Sequence, residues 1–343
     1  MTATGIPLAL PGAPAIDGLV FRTWRGLDDI PGMAAANQRV RDDAGVEELI
    51  NVESMTRTYT HLVNCDLDRD LVIVERNGRT IGYVRVEWRD LTSGGRQFFS
   101  FCVLDPAERG QGIGQAMLAW SEARLAQIAA EIRNDRPAEL FAYSQASDAH
   151  ARSLLQKNGW TAVAHGYEMV RPTLDAIPSV DMPHGIVVRD VSEAERRMVW
   201  EAARVAFRDS RDEHEWTEED WVRFAGDVPD PSLWIIAFDG EAVAGGVLNM
   251  IDRSGDRGAR AWLATVWTGA RWRRRGLAKA LIARSLARLR DHGMSSAFLG
   301  VDGANPNQAM DLYASLGFEI ASTTIDWRKP LRTPERVLAE EQE

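Results

Sequence analysis

Ala270-Arg-Trp-Arg-Arg-Arg-Gly-Leu-Ala-Lys-Ala-Leu281 places four arginines in five positions and stops the run at a glycine. Upstream, Trp262-Leu-Ala-Thr-Val-Trp267 reads as an apolar strand. Downstream, Ala278, Leu281, Ile282, Leu286 and Leu289 keep helical spacing as far as Gly293, a C-cap glycine. The cluster therefore sits where a helix begins. The first backbone N–H groups of a helix lack an intrahelical acceptor and carry partial positive charge, so an anion placed there gains several hydrogen bonds at once. Gly276 lets the backbone approach a diphosphate without a Cβ in the way, and Ala278 keeps the first turn narrow. Arg273, Arg274 and Arg275 can add bidentate contacts to phosphate oxygens. A merely solvated helix start is the plain alternative, but cations at a helix N-terminus are mildly unfavourable unless an anion lies between.

The same arrangement occurs once more, in Glu108-Arg-Gly-Gln-Gly-Ile-Gly-Gln-Ala-Met-Leu118. Arg109, Gly112 and Gly114 align with Arg273, Gly276 and Ala278 at a constant offset. Upstream, Val74-Glu-Arg-Asn-Gly-Arg-Thr-Ile-Gly-Tyr83 matches Ile236-Ala-Phe-Asp-Gly-Glu-Ala-Val-Ala-Gly245, each a hairpin signal. Downstream, Leu154-Leu-Gln-Lys-Asn-Gly-Trp160 matches Leu312-Tyr-Ala-Ser-Leu-Gly-Phe318. Each half opens on a short strand ending in arginine, Val20-Phe-Arg22 and Val187-Val-Arg189. Landmarks repeated in one order imply an internal duplication at domain scale. The expected organisation is an N-terminal domain over 1–172, a proline-bearing linker over 173–185, a C-terminal domain over 186–330 and a charged tail over 331–343. Each domain is expected to be α/β (α+β), a mixed, mostly antiparallel sheet flanked by helices.

The R-x-x-G-x-G/A pattern before an amphipathic helix resembles the coenzyme A pyrophosphate loop of the GNAT superfamily of N-acetyltransferases. The resemblance continues through Gly300-Val-Asp-Gly-Ala-Asn305 to the Leu312-Tyr313…Gly317-Phe318 ending. It covers most of 186–328 and, more loosely, 19–172, so the chain resembles tandem GNAT proteins of the actinobacterial type that includes mycothiol synthase. A dinucleotide-binding fold is excluded, because its glycine fingerprint follows the first strand of a βαβ unit.

The resemblance implies acetyl-CoA as co-substrate and transfer of its acetyl group to a primary amine of a small molecule. It places the pyrophosphate on Arg273, Arg274, Arg275, Gly276, Leu277 and Ala278, and the pantetheine arm near Asn305. The donor that polarises the thioester falls at Val266, Trp267 or Thr268. Tyr313 takes the place of the acid that protonates the departing thiolate. Asp302, His214 and Glu215 are candidates by type for the base, Asp302 foremost; a water chain is the alternative. Arg109, Gly110, Gln111, Gly112, Ile113 and Gly114 form the equivalent loop of the first half. That half departs from the pattern, with Leu155 at the tyrosine position and Ser147 at the asparagine position. Its other nearby tyrosine, Tyr143, lies in an expected strand, where core packing is the simpler role. The first half is therefore expected to be degenerate and the second catalytic.

Composition narrows the rest. The formal net charge of −10 argues against a polyanion as main partner, so no nucleic acid is expected. Cys65 and Cys102 belong to no CxxC pair and the six histidines are scattered, so no metal site is expected. No signal peptide or long apolar run is visible, which makes a cytoplasmic protein with no membrane partner the expectation. A monomer or homodimer is expected. Mycothiol synthase activity, on a cysteinyl amine, is the alternative enzyme; a non-catalytic coenzyme A-binding pseudoenzyme is the alternative from another class.

Overall fold

The computed structural model describes residues 5–46, 50–132, 135–208, 210, 213–227, 230–253, 259–303 and 309–331. The first repeat runs β1 (Pro7–Leu8), β2 (Leu19–Thr23), α1 (Ile30–Asp43), α2 (Val52–Thr60), α3 (Leu67–Asp70), β3 (Leu71–Arg76), β4 (Arg79–Asp90), β5 (Arg96–Leu104), α4 (Ile113–Glu131), β6 (Ala138–Gln145), α5 (Ala149–Lys157) and β7 (Thr161–Arg171). The second runs β8 (Val187–Arg189), α6 (Arg196–Phe207), α7 (Glu218–Asp227), β9 (Ile235–Asp239), β10 (Ala242–Asp252), β11 (Arg260–Thr268), α8 (Leu277–Asp291), β12 (Ala297–Asp302), α9 (Ala309–Ala314) and β13 (Glu319–Pro330).

Two compact units emerge, Met1–Ala164 with the chain from Thr324 onward, and His165–Thr323. The first unit's sheet has the order β1-β2-β3-β4-β5-β6-β13 and the second's the order β7-β12-β11-β10-β9-β8. In each, neighbours are antiparallel except one central pair, β5–β6 and β11–β12. The strand that ends each repeat in sequence thus completes the sheet built by the other. Residues 324–330 of β13 pair with β6, and residues 166–171 of β7 pair with β12. This differs from the division expected at 173–185, because strand pairing, which sets the compact units, ignores the repeat boundary.

The segment between β7 and β8 is packed chain. Leu174 is buried and its N–H donates to Ser295 O at 2.9 Å, while Ile177, Val180 and Met182 lie on the second unit's core. Arg284 Nη1 on α8 donates to Val180 O at 2.9 Å. The expected tail falls, from residue 332 on, outside the described residues.

The repeated hairpins differ in detail. Asn77 and Gly78, both at positive φ, form a two-residue turn between β3 and β4. In the second repeat the two loop residues are Gly240 and Glu241, and Asp239 is still paired to Ala242. The apolar stripes of α4 and α8 are buried as their spacing dictates, with Met117, Leu118, Leu125 and Ile128 on one and Leu281, Ile282, Leu286 and Leu289 on the other. Among the described residues no helix is long and apolar enough to cross a membrane.

Trp327 on β13 sits opposite Ala142 of β6, is 1% exposed, and donates from Nε1 to Ser144 Oγ at 3.0 Å. Removing a buried indole leaves a cavity and an orphaned hydroxyl, so Trp327→Ala is expected to cost about 3–5 kcal/mol. Chemical denaturation of the full chain checks this, and a loss below about 1 kcal/mol would place the β13–β6 pairing outside the stabilising core.

Candidate active site

The central parallel pair of each unit diverges. In the second, the β11–β12 ladder consists of the single pair Trp262–Phe298, after which the strands separate. In the first, β5 and β6 pair from Arg96–Ala138 to Phe99–Phe141 and then part. Divergence leaves one edge of β11, and of β5, with backbone groups that the neighbouring strand does not satisfy.

At the end of β11, Gly269–Trp272 make one tight turn. Trp272 Nε1 donates to Asp239 Oδ2 at 2.8 Å. The chain then takes a left-handed residue at Arg274 (φ +58°) and another at Gly276 (φ +79°). In the first repeat Gly110 (φ +78°) and Gly112 (φ +87°) repeat the pattern. Alternating left-handed residues turn successive N–H groups toward one concavity, which suits an anion. The first intrahelical bonds are Ala280 N–H to Gly276 O and Ala116 N–H to Gly112 O, each 3.1 Å, and neither helix start has a side-chain cap. A Cβ at Gly276 would meet nothing within 4 Å, whereas one at Gly112 would meet Pro14 at 3.7 Å.

The matched arginines brace the loops. Arg273 donates from Nε to Thr268 O and from Nη2 to Ala206 O near the end of α6, both at 3.2 Å. Arg109 bonds Asp43, the last residue of α1, at 2.6 Å and Asp148, the N-cap of α5, at 2.8 Å. Each arginine ties its loop to the end of its unit's first long helix. Arg271, Arg274 and Arg275 differ: all three are exposed, and none forms an ion pair among the described residues. Gln111 of the first loop instead donates to Glu108 Oε2 at 3.2 Å, a carboxylate already held by Arg76.

Tyr313 lies on α9, 7% exposed, edge-to-face with Phe318 at 5.9 Å. Its hydroxyl pKa is pushed up to about 12 by burial, so it holds its proton throughout the physiological range. Tyr313, Val266 of β11 and Leu277 of the first turn of α8 belong to one apolar cluster. Trp267 points to the other face, into a cluster with Val199, Trp234 and Leu248. Thr268 Oγ1 is buried with no partner among the described residues, an orphaned polar group at the mouth of the loop. Among the described residues the pieces present suit coenzyme A: helix N–H groups without a cap, arginines without an ion pair, an open strand edge and an orphaned hydroxyl.

Asp302 ends β12, half-buried, paired to Gly166. Asn305 lies outside the described residues. His214 stacks on Trp216 at 6.1 Å, with Nε2 3.6 Å from Asp220 and Nδ1 3.3 Å from Glu213. Asp220 and then Glu213 push its pKa up to about 9. An imidazole that is already protonated at neutral pH cannot accept a proton, which removes His214 from the candidate bases. Glu215 is exposed. In the first unit Leu155 is buried at the position of Tyr313, and Ser147 Oγ donates to Ala44 O at 3.4 Å. Tyr143 occupies β6 but is 44% exposed, so the core packing expected of it does not occur. Among the described residues no cluster of metal-ligating side chains is found.

Both repeats resemble known proteins. A model described as "Acetyltransferase (GNAT) family" matches residues 196–318, and one described as "Acetyltransferase (GNAT) domain" matches 68–162. A mycothiol acetyltransferase of Geodermatophilus obscurus is 27% identical over 276 residues, covering 76% of this chain and 82% of that protein. One of Rhodococcus jostii is 26% identical over 280 residues, 78% of this chain and 82% of that protein. Among solved structures, a GCN5-related N-acetyltransferase from Sphaerobacter thermophilus is similar with TM-score 0.73 at 24% identity, covering 92% of this chain and 97% of that one. A tandem GNAT protein from the clavulanic acid biosynthesis pathway is similar with TM-score 0.66 at 16% identity, covering 92% and 99%.

The His214 cluster predicts a pH dependence. Its folded pKa of about 9 lies above the ordinary 6.5, so its stabilising contribution is complete below about pH 6.5 and fades as pH rises through about 9. Melting curves of wild type and His214→Gln should therefore differ most near pH 6 and converge above about pH 9. A difference that grows with pH would contradict the pairing with Asp220 and Glu213.

Proposed function

Since the chain belongs to the GNAT acetyltransferases and carries two such domains, we propose that its second domain transfers the acetyl group of acetyl-CoA to a primary amine of a small molecule, while the first does not turn over. The asymmetry between two backbones of one design carries this reading. The second loop has an open Gly276 and exposed Arg271, Arg274 and Arg275, which form no ion pair among the described residues. The first has its arginine committed to two aspartates and Pro14 against Gly112. Only the second pairs its loop with a tyrosine.

In this reading the N–H groups of Leu277 and Ala278 and the side chains of Arg274 and Arg275 hold the pyrophosphate, and the free edge of β11 at Val266–Thr268 holds the extended arm. Acetyl-CoA supplies an activated acyl group. The amine attacks directly, its lone pair forming the new C–N bond as the C–S bond breaks. Tyr313 delivers its phenolic proton to the departing sulfur and recovers one from solvent. Asp302, at the open end of β12, takes the proton that the amine loses. A covalent acyl-cysteine step finds no support, because burial pushes both thiols, Cys65 and Cys102, up to about 12, far from the thiolate such a step needs. The relatives named mycothiol acetyltransferase favour a mycothiol-type acceptor within this class.

Tyr313→Phe is expected to lower kcat by about 10²–10⁴ with little change in acetyl-CoA affinity. Turnover within about threefold of wild type would remove Tyr313 from the acid role. Calorimetric titration with acetyl-CoA should show binding abolished by Gly276→Glu and retained by Gly112→Glu, with melting curves confirming that both variants fold. The reverse outcome would move the working site to the first domain.

A further inference from the structure

β5 and β6 are interior strands of the first unit's sheet, yet one face of them is left partly open. On the face that carries α1 and α2, Tyr143 is 44% exposed, and Phe99 and Phe101 are half-buried, while Tyr59, Tyr83 and Phe141 around them are buried. The rings form a continuous floor: Phe99 lies 5.4 Å from Phe141 and 5.9 Å from Tyr143, and Phe101 lies 5.8 Å from Tyr143 and 5.7 Å from Tyr83. Buried Tyr59 of α2 and buried Tyr83 of β4 flank the open rings, so protein borders the floor. Surface that is open to solvent yet walled by protein is a concavity, not a convex patch.

Arg85 stands at its edge. In the β4–β5 ladder Arg85 lies opposite Phe101 and Glu87 opposite Phe99, on this same face. The Arg85 guanidinium is 5.1 Å over the Tyr59 ring and 5.7 Å over Phe101, with Nη2 3.2 Å from Glu87 Oε2. Arg85 is 8% exposed, and among the described residues its Nε has no partner. A guanidinium carries five N–H donors, and leaving one buried without an acceptor is unfavourable. The fold itself does not ask for this group. Gly82 lies opposite Leu104 as Gly245 lies opposite Thr268, so Leu248 stands in the second unit where Arg85 stands in the first. By the same logic from the Phe99–Phe141 and Trp262–Phe298 pairs, Gly300 stands where Tyr143 does.

We propose that this cavity of the first unit binds a small monocarboxylate with an apolar body, its carboxylate on Arg85 and its body against Phe99, Phe101 and Tyr143. Arg85 shares its charge with Glu87, and a bidentate carboxylate engages the planar donors that Glu87 leaves. Glu87 at 3.2 Å from Arg85 disfavours a dianion such as phosphate. The aromatic floor, in turn, favours carbon over a bare ion. The site is independent of acetyl transfer by the second unit, and it gives the repeat that lacks a tyrosine at position 155 a ligand of its own.

Equilibrium dialysis of the full chain against 3-phenylpropionate tests it, with 3-phenylpropanol and inorganic phosphate as controls. One equivalent of the acid is expected to bind, with the alcohol and phosphate at least about tenfold weaker. Arg85→Gln and Tyr143→Trp should each weaken the acid at least about tenfold. The second variant fills the floor from an exposed position, so it reads occupancy even where loss of buried Arg85 unfolds the chain. Gly276→Glu should leave binding unchanged, which separates this site from the acetyl-CoA loop. No binding of the acid at millimolar concentration, equal affinity for the alcohol, tighter binding of phosphate, or undiminished binding by Tyr143→Trp would each overturn the proposal.

Discussion

The site in the second unit depends on two parallel strands that stop pairing after one residue pair. Beyond Trp262–Phe298 the facing edges of β11 and β12 have no ladder. A protein tolerates such an edge only where another polar partner replaces the missing strand. Everything nearby suits an extended polar ligand in that role. The helix that follows β11 starts without a side-chain cap, its loop twists N–H groups into one concavity, and Thr268 Oγ1 waits unpaired beside it. Tyr313 reaches the same region because α9 packs on the cluster that Val266 and Leu277 share.

The arginines divide differently from what their spacing implies. Arg273 and Arg109 match between repeats, and both stand in the loops that the resemblance assigns to the pyrophosphate. Both instead bond the ends of neighbouring helices, which fixes the loop's path. The unmatched Arg274 and Arg275 are the exposed, unpaired ones. Matching position therefore marks what the backbone needs, and departure marks where chemistry differs. Arg274 shows the cost, holding a left-handed conformation that glycine holds in the first loop.

What was local was legible. The hairpins, the glycine turns and the stripes of α4 and α8 follow from short-range spacing, and they lie where the sequence places them. The pairing of β13 with β6 and of β7 with β12 was not legible, because strand character says nothing about which edge a strand will meet. The segment over 173–185 has linker composition, yet its few apolar residues, Leu174 and Val180 among them, are enough to fasten it to the second unit's core. His214 is a base by residue type, and the adjacent Glu213 together with Asp220 of α7 reverses that reading. The Arg85 cavity had one faint signal, the alternation Tyr83-Val-Arg85-Val-Glu87, which puts polar groups on a single strand face.

Charge distribution reconciles an acidic chain with an anionic co-substrate. A formal net charge of −10 would seem to repel coenzyme A. At physiological ionic strength, however, exposed charges are screened over roughly 8 Å. A polyphosphate approaching the start of α8 therefore responds to Arg271, Arg274, Arg275 and the helix N–H groups far more than to carboxylates elsewhere. At the first loop Asp43 and Asp148 are bonded to Arg109, and Glu108 is bonded to Arg76 of β3. The two repeats share a backbone suited to a phosphate, and it is the charge within a Debye length of each loop that distinguishes them.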